Sequence, residues 1–220
     1  MIRLKKNYNN NLLILFSNIT RKIFKGDRLK RLSIGVSDFL ETIYLNKKKK
    51  LSILDYGCGS MDLSKKIQNK KFISKITAVD IYKARYKNKK IKYLNDKFFF
   101  KKNTKKFDAI VIVDVLHHMG IDDAHKILKK LSKYSKFIIV KDHYEHGFLS
   151  RHLLRFVDFY ANYAYGVKIP KKYFDKYTWK SALKKANLEQ IKHHSNFQQH
   201  DGLYNFILNK KHHFISLLKK

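Results

Sequence analysis

Leu51-Ser-Ile-Leu-Asp-Tyr-Gly-Cys-Gly-Ser-Met-Asp62 is the stretch on which the fold turns. Its first six residues form a short, nearly continuous apolar run that reads as a buried strand. Gly57 and Gly59 punctuate it, and residues 62–69 then read as a helix. Glycines at a strand-to-helix turn let the backbone come close to a ligand. A dinucleotide-binding turn would carry G-x-G-x-x-G, whose third glycine falls here on Asp62. The phosphate-loop pattern G-x-x-x-x-G-K-S/T is absent as well. Asp55, two positions ahead of Gly57, would repel a pyrophosphate and suits a ligand that carries an ammonium group.

Outward from this turn the chain alternates strands and helices. Residues 76–80 read as a second strand, 91–94 as a third, 107–114 as a fourth and 137–140 as a fifth. Residues 121–132 have helical periodicity, with Ala124, Ile127, Leu128 and Leu131 on one face. Strands separated by helices of this length imply a parallel sheet with right-handed crossovers. Asp80 closes the second strand, about 20 residues beyond the turn, where a carboxylate accepts from both vicinal hydroxyls of a ribose; the plain alternative is a cap or turn residue. Further on, 150–163 and 178–186 read as helices, 162–170 as a loop, and 188–194 and 212–218 as strands without a helix between them, hence an antiparallel edge pair. Upstream, Ile34, Phe39, Leu40 and Ile43 recur at helical spacing, and 47–50 is a run of lysines leading into the first strand. The predicted architecture is α/β: a Rossmann-like, seven-stranded mixed sheet in three layers, with a helical insertion before the last two strands. Residues 1–46 form an N-terminal helical region, 47–220 the Rossmann-like domain, and 141–187 an aromatic-rich insertion on its substrate side.

The chain resembles the class I S-adenosylmethionine-dependent methyltransferases, in a form similar to methyltransferase types 11 and 12. The resemblance rests on Leu54-Asp-Tyr-Gly-Cys-Gly59, Ala78-Val-Asp80 and Phe107-Asp-Ala-Ile-Val-Ile-Val-Asp-Val-Leu-His-His118, and spans about residues 30–220. It implies S-adenosyl-L-methionine as cofactor, with Asp55, Gly57 and Gly59 at its methionine end, Asp80 on the ribose, Asp96 beside the adenine, and Asp114 and Leu116 along its flank. The family often has a third glycine where this chain has Met61, and a side chain there threatens to crowd the methionine part. A bacterial subgroup of unknown acceptor looks similar over the later region, through Val140-Lys-Asp-His143, Gly147, Asp158, Asn162, Gly166, Pro170, Tyr173, Trp179 and His213.

A sulfonium methyl is already activated, so the protein supplies proximity and an in-line approach, with a base only where the acceptor must lose a proton. His117, His118, Asp142 and His143 follow strand ends, where ligands of open α/β sheets lie. His143 is the first choice for a base or substrate contact, Asp142 its orienting partner or an alternative base, and His118 the second choice; each has the plainer reading of a polar loop residue. Adjacent histidines occur at 117–118, 193–194 and 212–213. Neighbours on a strand point to opposite faces, which disfavours chelation by the latter two pairs, and no metal site is expected. The aromatics from Phe148 to Tyr177 read either as core or as the wall of an apolar acceptor pocket. The acceptor is accordingly a small molecule or a lipid-like one.

Composition narrows the setting. Of 220 residues, 44% are hydrophobic and 14% aromatic, which excludes wholesale disorder. The lone Cys58 allows no internal disulfide and no cysteine-built zinc site, and fits a reducing, cytoplasmic setting. No apolar run reaches the ~18 residues of a membrane span. The apolar stretch 12–16 falls short of the roughly 7–15 residues of a secretory signal. Lys and Arg number 49 against 17 acidic residues, a formal +32, yet only seven are Arg, whose fork reads phosphates and base edges. A solvated lysine surface is the first reading. Peripheral attraction to an anionic membrane at its inner face is the second, with residues 1–32 as a basic arm or interfacial helix. Nucleic acid comes last: no Asn/Asp-Pro-Pro-Tyr/Phe tetrad follows the fourth strand, so a nucleic-acid methyltransferase is favoured by charge alone. A third option is a non-catalytic Rossmann-like domain whose cofactor pocket Met61 impairs.

Overall fold

The computed structural model describes residues 11–82, 90–102, 105–162, 166–200, 205 and 208–220. Residues 1–10 of the basic arm and 163–165 of the expected loop lie outside the described residues. In chain order the elements are α1 (Asn11–Lys47), β1 (Leu51–Tyr56), α2 (Asp62–Ile67), β2 (Ile73–Asp80), β3 (Ile91–Asn95), α3 (Asp96–Lys102), β4 (Ala109–Val113), α4 (Leu116–Met119), α5 (Ile121–Leu131), β5 (Phe137–His143), α6 (Phe148–Asn162), α7 (Lys176–Ala186), β6 (Glu189–His194) and β7 (His213–Lys219).

The strands form one seven-stranded sheet in the order β3-β2-β1-β4-β5-β7-β6. All neighbours run parallel except β7, which is antiparallel to both β5 and β6. The last two strands are therefore an antiparallel pair, but of the two only β6 is an edge strand, opposite β3, and β7 is interior. The burial follows: β7 is buried along most of its length, whereas β6 shows Glu189 and Lys192 to solvent. The chain leaves β1 in one direction through β2 and β3, then returns to its other side at β4. That reversal opens a crevice beyond the carboxyl ends of β1 and β4, where ligands of such sheets bind.

Alternation along the strands builds two cores. Ile53, Ala78, Val111, Ile139 and Ile215 face α1 and α2, meeting Val36, Phe39, Leu40, Ile43 and Ile67. Leu54, Val79, Ile110, Ile112, Val140 and Phe214 face the other side, under α5 and α7, with Phe174 and Trp179 among them. Ile34 is not part of the α1 core face; it is half exposed, and Leu32 and Val36 hold the stripe with Phe39, Leu40 and Ile43. The lysine run joins the fold through Asp108, which accepts from Lys47 Nζ at 2.7 Å.

Several boundaries differ from the sequence expectation for local reasons. β4 stops at Val113 because Asp114 takes a left-handed backbone, φ 53°. β5 runs on through Lys141, Asp142 and His143, polar residues kept in the ladder by pairing with Ile215, Phe214 and His213 of β7. α3 and α4 are short helices with too few residues to show a period. The aromatic stretch divides: Tyr144, Phe174 and Trp179 are core, while Phe148, Phe156 and Tyr177 are exposed.

Candidate functional site

The glycine turn is held tightly to β2. Gly57 and Cys58 donate their backbone N–H groups to the Val79 carbonyl at 2.7 and 3.1 Å. Gly57 sits at φ 76°, and a Cβ built there would meet Val115 Cγ2 at 2.3 Å, so only glycine fits. Met61 also adopts a left-handed backbone, φ 61°. Its side chain is fully buried in the core shared with α1 and α2 and takes no part in lining the adjoining cavity. The crowding expected from a side chain at this position is therefore avoided: the left-handed turn sends the thioether into the core.

A cavity of about 380 Å³ opens from this turn. Asp55, Gly57 and Gly59 line it together with Asp114, His118 and His143. Asp55 is buried, and its only side-chain bond described is from the Ser64 hydroxyl at 2.6 Å. Burial outweighs that bond and raises its pKa to about 6. Asp80 accepts from Gly59 N–H at 2.8 Å and from Tyr82 N–H at 3.0 Å, so the carboxylate at the end of β2 braces the turn. Asp96 accepts from the Tyr56 hydroxyl at 2.8 Å. Asp80, Asp96 and Leu116 stand behind the cavity wall instead of in it.

Asp114 gathers three basic side chains from two elements. Arg28 of α1 donates to it at 2.5 Å, Lys141 of β5 at 2.6 Å, and His143 Nε2 lies 3.2 Å away. Burial opposes its charge, but Lys141, His143 and Arg28 together hold its carboxyl well below the usual range. Lys141 is wholly buried, which lowers its own pKa despite Asp114. Such an enclosed pair is tolerable only because each charge is matched.

Beside it lies a cluster of histidines. His143 donates Nε2–H to Asp114, which leaves Nδ1 to accept from His213 Nδ1 at 3.1 Å. Both ring nitrogens of His143 are thus engaged, and of this pair the nitrogen left without a hydrogen-bond partner is the buried Nε2 of His213. Asp142 is fully buried and its carboxylate turns to His117, accepting from Nδ1 at 2.5 Å and from the backbone N–H of Leu116 and His143 at 3.1 and 2.7 Å. It orients His117, not the ring of His143. Burial disfavours charge on His117, but Asp142 and then Asp158 raise its pKa to about 9. His118 donates Nδ1–H to the Lys168 carbonyl at 2.9 Å. Burial, with His117 beside it, lowers its pKa to about 4, so it is neutral at pH 7.

The fold thus brings His118, His143 and Asp114 to one cavity with Asp55, Gly57 and Gly59, and sets Asp142 one layer behind. Sequence reasoning assigned no role to Arg28, His117, Lys141, Asp158 or His213. A lysine directly after the buried apolar run Phe137 to Val140 was the readable signal, since a buried lysine needs a buried acid. Arg28 gave none, because it lies in a helix 86 residues before its partner.

A family model described as a methyltransferase domain matches residues 25–193. No curated protein matches the sequence. Among solved structures, the plantazolicin methyltransferase BpumL in complex with S-adenosylhomocysteine superposes with a TM-score of 0.66 at 15% identity, over 99% of this chain and 93% of that one. The 1,6-didemethyltoxoflavin-N1-methyltransferase of Burkholderia thailandensis gives 0.62 at 10% identity, over 94% and 84%. A methyltransferase from Archaeoglobus fulgidus gives 0.61 at 14% identity, over 96% and 100%. At these identities the likeness is one of fold.

Proposed function

The chain belongs to the methyltransferase-domain family, and from that premise we propose that it moves a methyl group from S-adenosylmethionine to a small-molecule or lipid-like acceptor. One observation carries the reading: a single cavity is lined both by a buried carboxylate at a glycine turn, with no cation paired to it among the described residues, and by a cluster of histidines. The chain has 49 lysines and arginines, yet Asp55 is paired with a serine hydroxyl. A desolvated carboxylate in that state attracts an ammonium group, as on the methionine end of the donor. The absent Cβ at Gly57 and the thioether of Met61 sunk in the core keep that end open. These features fit the donor, and the structural neighbour bound to S-adenosylhomocysteine supports it.

When bound, S-adenosylmethionine supplies a methyl group on a positively charged sulfur, ready for an in-line nucleophile. Asp55, Gly57 and Gly59 would hold its methionine end and Asp114 its flank, while Asp80, Asp96 and Leu116, outside this cavity's lining, would meet its ribose, adenine side and flank where the donor extends beyond the cavity. Arg28 and Lys141 fix the Asp114 carboxylate, so the wall between donor and acceptor is rigid. His118 and His143 face the acceptor, and Asp142 holds His117 beside them. Neutral His118, with its Nδ1–H occupied, keeps the Nε2 lone pair for the acceptor side of the cavity. Leu29, Leu32, Leu154, Val157 and Leu208 supply the apolar remainder of the cavity, which suits an acceptor with a greasy body and one polar reacting atom.

No helix among the described residues is long and apolar enough to cross a membrane. The net charge of +32 and the exposed Phe148, Leu149 and Phe156 of α6, the helix whose other side lines the cavity, support a cytoplasmic protein that visits an anionic leaflet. The deciding experiment is calorimetric titration with S-adenosylhomocysteine. Binding by the wild type, weakened at least tenfold in Asp55→Asn, is the expected result; no heat and no thermal shift would overturn the reading.

A further inference from the structure

We propose that His117, His118 and Asp158 form a binding site for a divalent first-row transition ion of the zinc class, with its open position facing the cavity. The inference goes beyond methyl transfer and stands on geometry of its own. Each of the three side chains offers one ligand atom, and the three atoms lie within 4.8 Å of one another. On a strand, adjacent histidines would diverge; on the single turn of α4 their ring centroids are 4.0 Å apart. Asp158 arrives from α6, more than 40 residues later, which is why spacing in the sequence gives no hint of the trio.

What surrounds the three side chains is what metal ligands require: partners that orient each group, engaging Nδ1 of both histidines and one lone pair on each oxygen of Asp158. His117 gives Nδ1–H to Asp142 at 2.5 Å, and two backbone N–H groups anchor Asp142 in turn. His118 gives Nδ1–H to the Lys168 carbonyl at 2.9 Å. Asp158 accepts from Asn162 Nδ2 at 3.2 Å and from the Tyr173 hydroxyl. Nε2 of each histidine is thereby the atom left for an ion, which displaces any proton held there.

His117 Nε2 is the second, independent observation. It is buried, it lines the cavity, and it has no hydrogen-bond partner. The nearest acid atom, Asp158 Oδ2, is 3.6 Å away, beyond hydrogen-bond reach. A proton on that nitrogen falls short of the oxygen, whereas an ion bound at ~2.0–2.2 Å reaches both atoms. Charge points the same way. Asp114 is matched by Arg28 and Lys141, whereas Asp142 and Asp158 flank His117 at 2.5 and 3.6 Å, so a divalent ion at its Nε2 would sit beside two carboxylates. Two imidazoles and a carboxylate suit ions of the zinc class more than magnesium or calcium. Three protein ligands beside a cavity leave a coordination position for an oxygen or nitrogen of a bound small molecule.

The test uses the full chain, stripped with a chelator and titrated with Co2+, whose tetrahedral complexes absorb strongly in the visible. One equivalent should bind with that band. Affinity should fall at least tenfold in His118→Ala, whose part-exposed ring can be removed without opening the core, and in Asp158→Asn, while His152→Ala binds as the wild type does. Absence of the band, or a band that survives both ligand substitutions and so reports adventitious binding by other histidines, overturns the proposal. Calorimetry with S-adenosylhomocysteine on the same stripped wild-type sample reports the donor site separately, so failure of one reading is not failure of the other.

Discussion

At the scale of single residues, the site is governed by two aspartates with opposite environments. Asp55 has its pKa raised to about 6 by burial, above the ordinary 3.8. A carboxylate whose folded pKa is raised takes up protons on folding between these values, so its contribution to stability declines as pH rises from about 4 to about 6. The cost above pH 6 is on the order of 3 kcal/mol. Asp55→Asn should therefore unfold at higher urea concentration than the wild type at pH 8, and at nearly the same concentration at pH 3.5. The same substitution should weaken S-adenosylhomocysteine, whose wild-type affinity should grow as pH rises through 6; calorimetry across pH reads this directly. Gain of stability with loss of ligand in one variant is the mark of a group strained for function. Asp114 is the reverse case. Asp114→Asn leaves the buried Lys141 without its 2.6 Å partner and should cost about 3–5 kcal/mol in urea denaturation at pH 7. Because its folded pKa is depressed, that stabilisation is present above about pH 4 and is lost as pH falls further, so wild type and variant should converge in acid.

At the scale of elements, α1 is the part whose role the sequence conveyed only in outline. Its stripe of Val36, Phe39, Leu40 and Ile43 covers the central strands on one face. Leu40→Ala should cost about 2–5 kcal/mol, because Leu40 is fully buried, whereas Ile34→Ala on the exposed side should cost less than ~0.5 kcal/mol. Chemical denaturation of the pair measures how firmly α1 belongs to the core. The seven strands and the long helices were legible because each carries one periodicity over several residues. The β1 turn was legible because Gly57 and Gly59 serve a purpose that few other residues can. The limits of legibility were equally physical. Ile34 matched the helical period as well as Val36 does, and only tertiary packing decides which of two neighbouring faces is covered. His143 stood at a strand end as expected, but its ring nitrogens are claimed by Asp114 and His213, residues 29 positions before it and 70 after it, respectively. Asp142 was readable as an orienting acid; which histidine it orients depends on how α4 lies over β5. Pairings across such separations leave no trace in local spacing.

At the scale of the whole molecule, the formal charge of +32 must be reconciled with a cavity whose lining carries Asp55, Asp62, Asp114 and Asp158. The excess is on the surface, and its partner is decided by what accompanies it. Charge alone attracts a nucleic acid and an anionic bilayer alike. Apolar contact separates them, and α6 supplies it: Phe148, Leu149 and Phe156 are each more than half exposed, while Leu154, Val157 and Asp158 of the same helix turn inward to the cavity. A helix that is apolar on both sides can rest on lipid and wall a lipid-like acceptor at once. Vesicles containing phosphatidylglycerol should therefore co-sediment with the protein at 50 mM salt, and vesicles of phosphatidylcholine alone should not. Raising salt to 0.5 M shortens the screening length to roughly half its value near 0.1 M and should release most of the bound protein. The double substitution Phe148→Ser and Leu149→Ser should weaken vesicle binding several-fold at low salt and leave RNA binding unchanged. Deleting residues 1–26 removes the basic arm while sparing Arg28, and measures the arm's share of the attraction. Equal retention of RNA and vesicles by wild type and double variant would reduce the attraction to charge alone, and the acceptor would then be sought among soluble molecules.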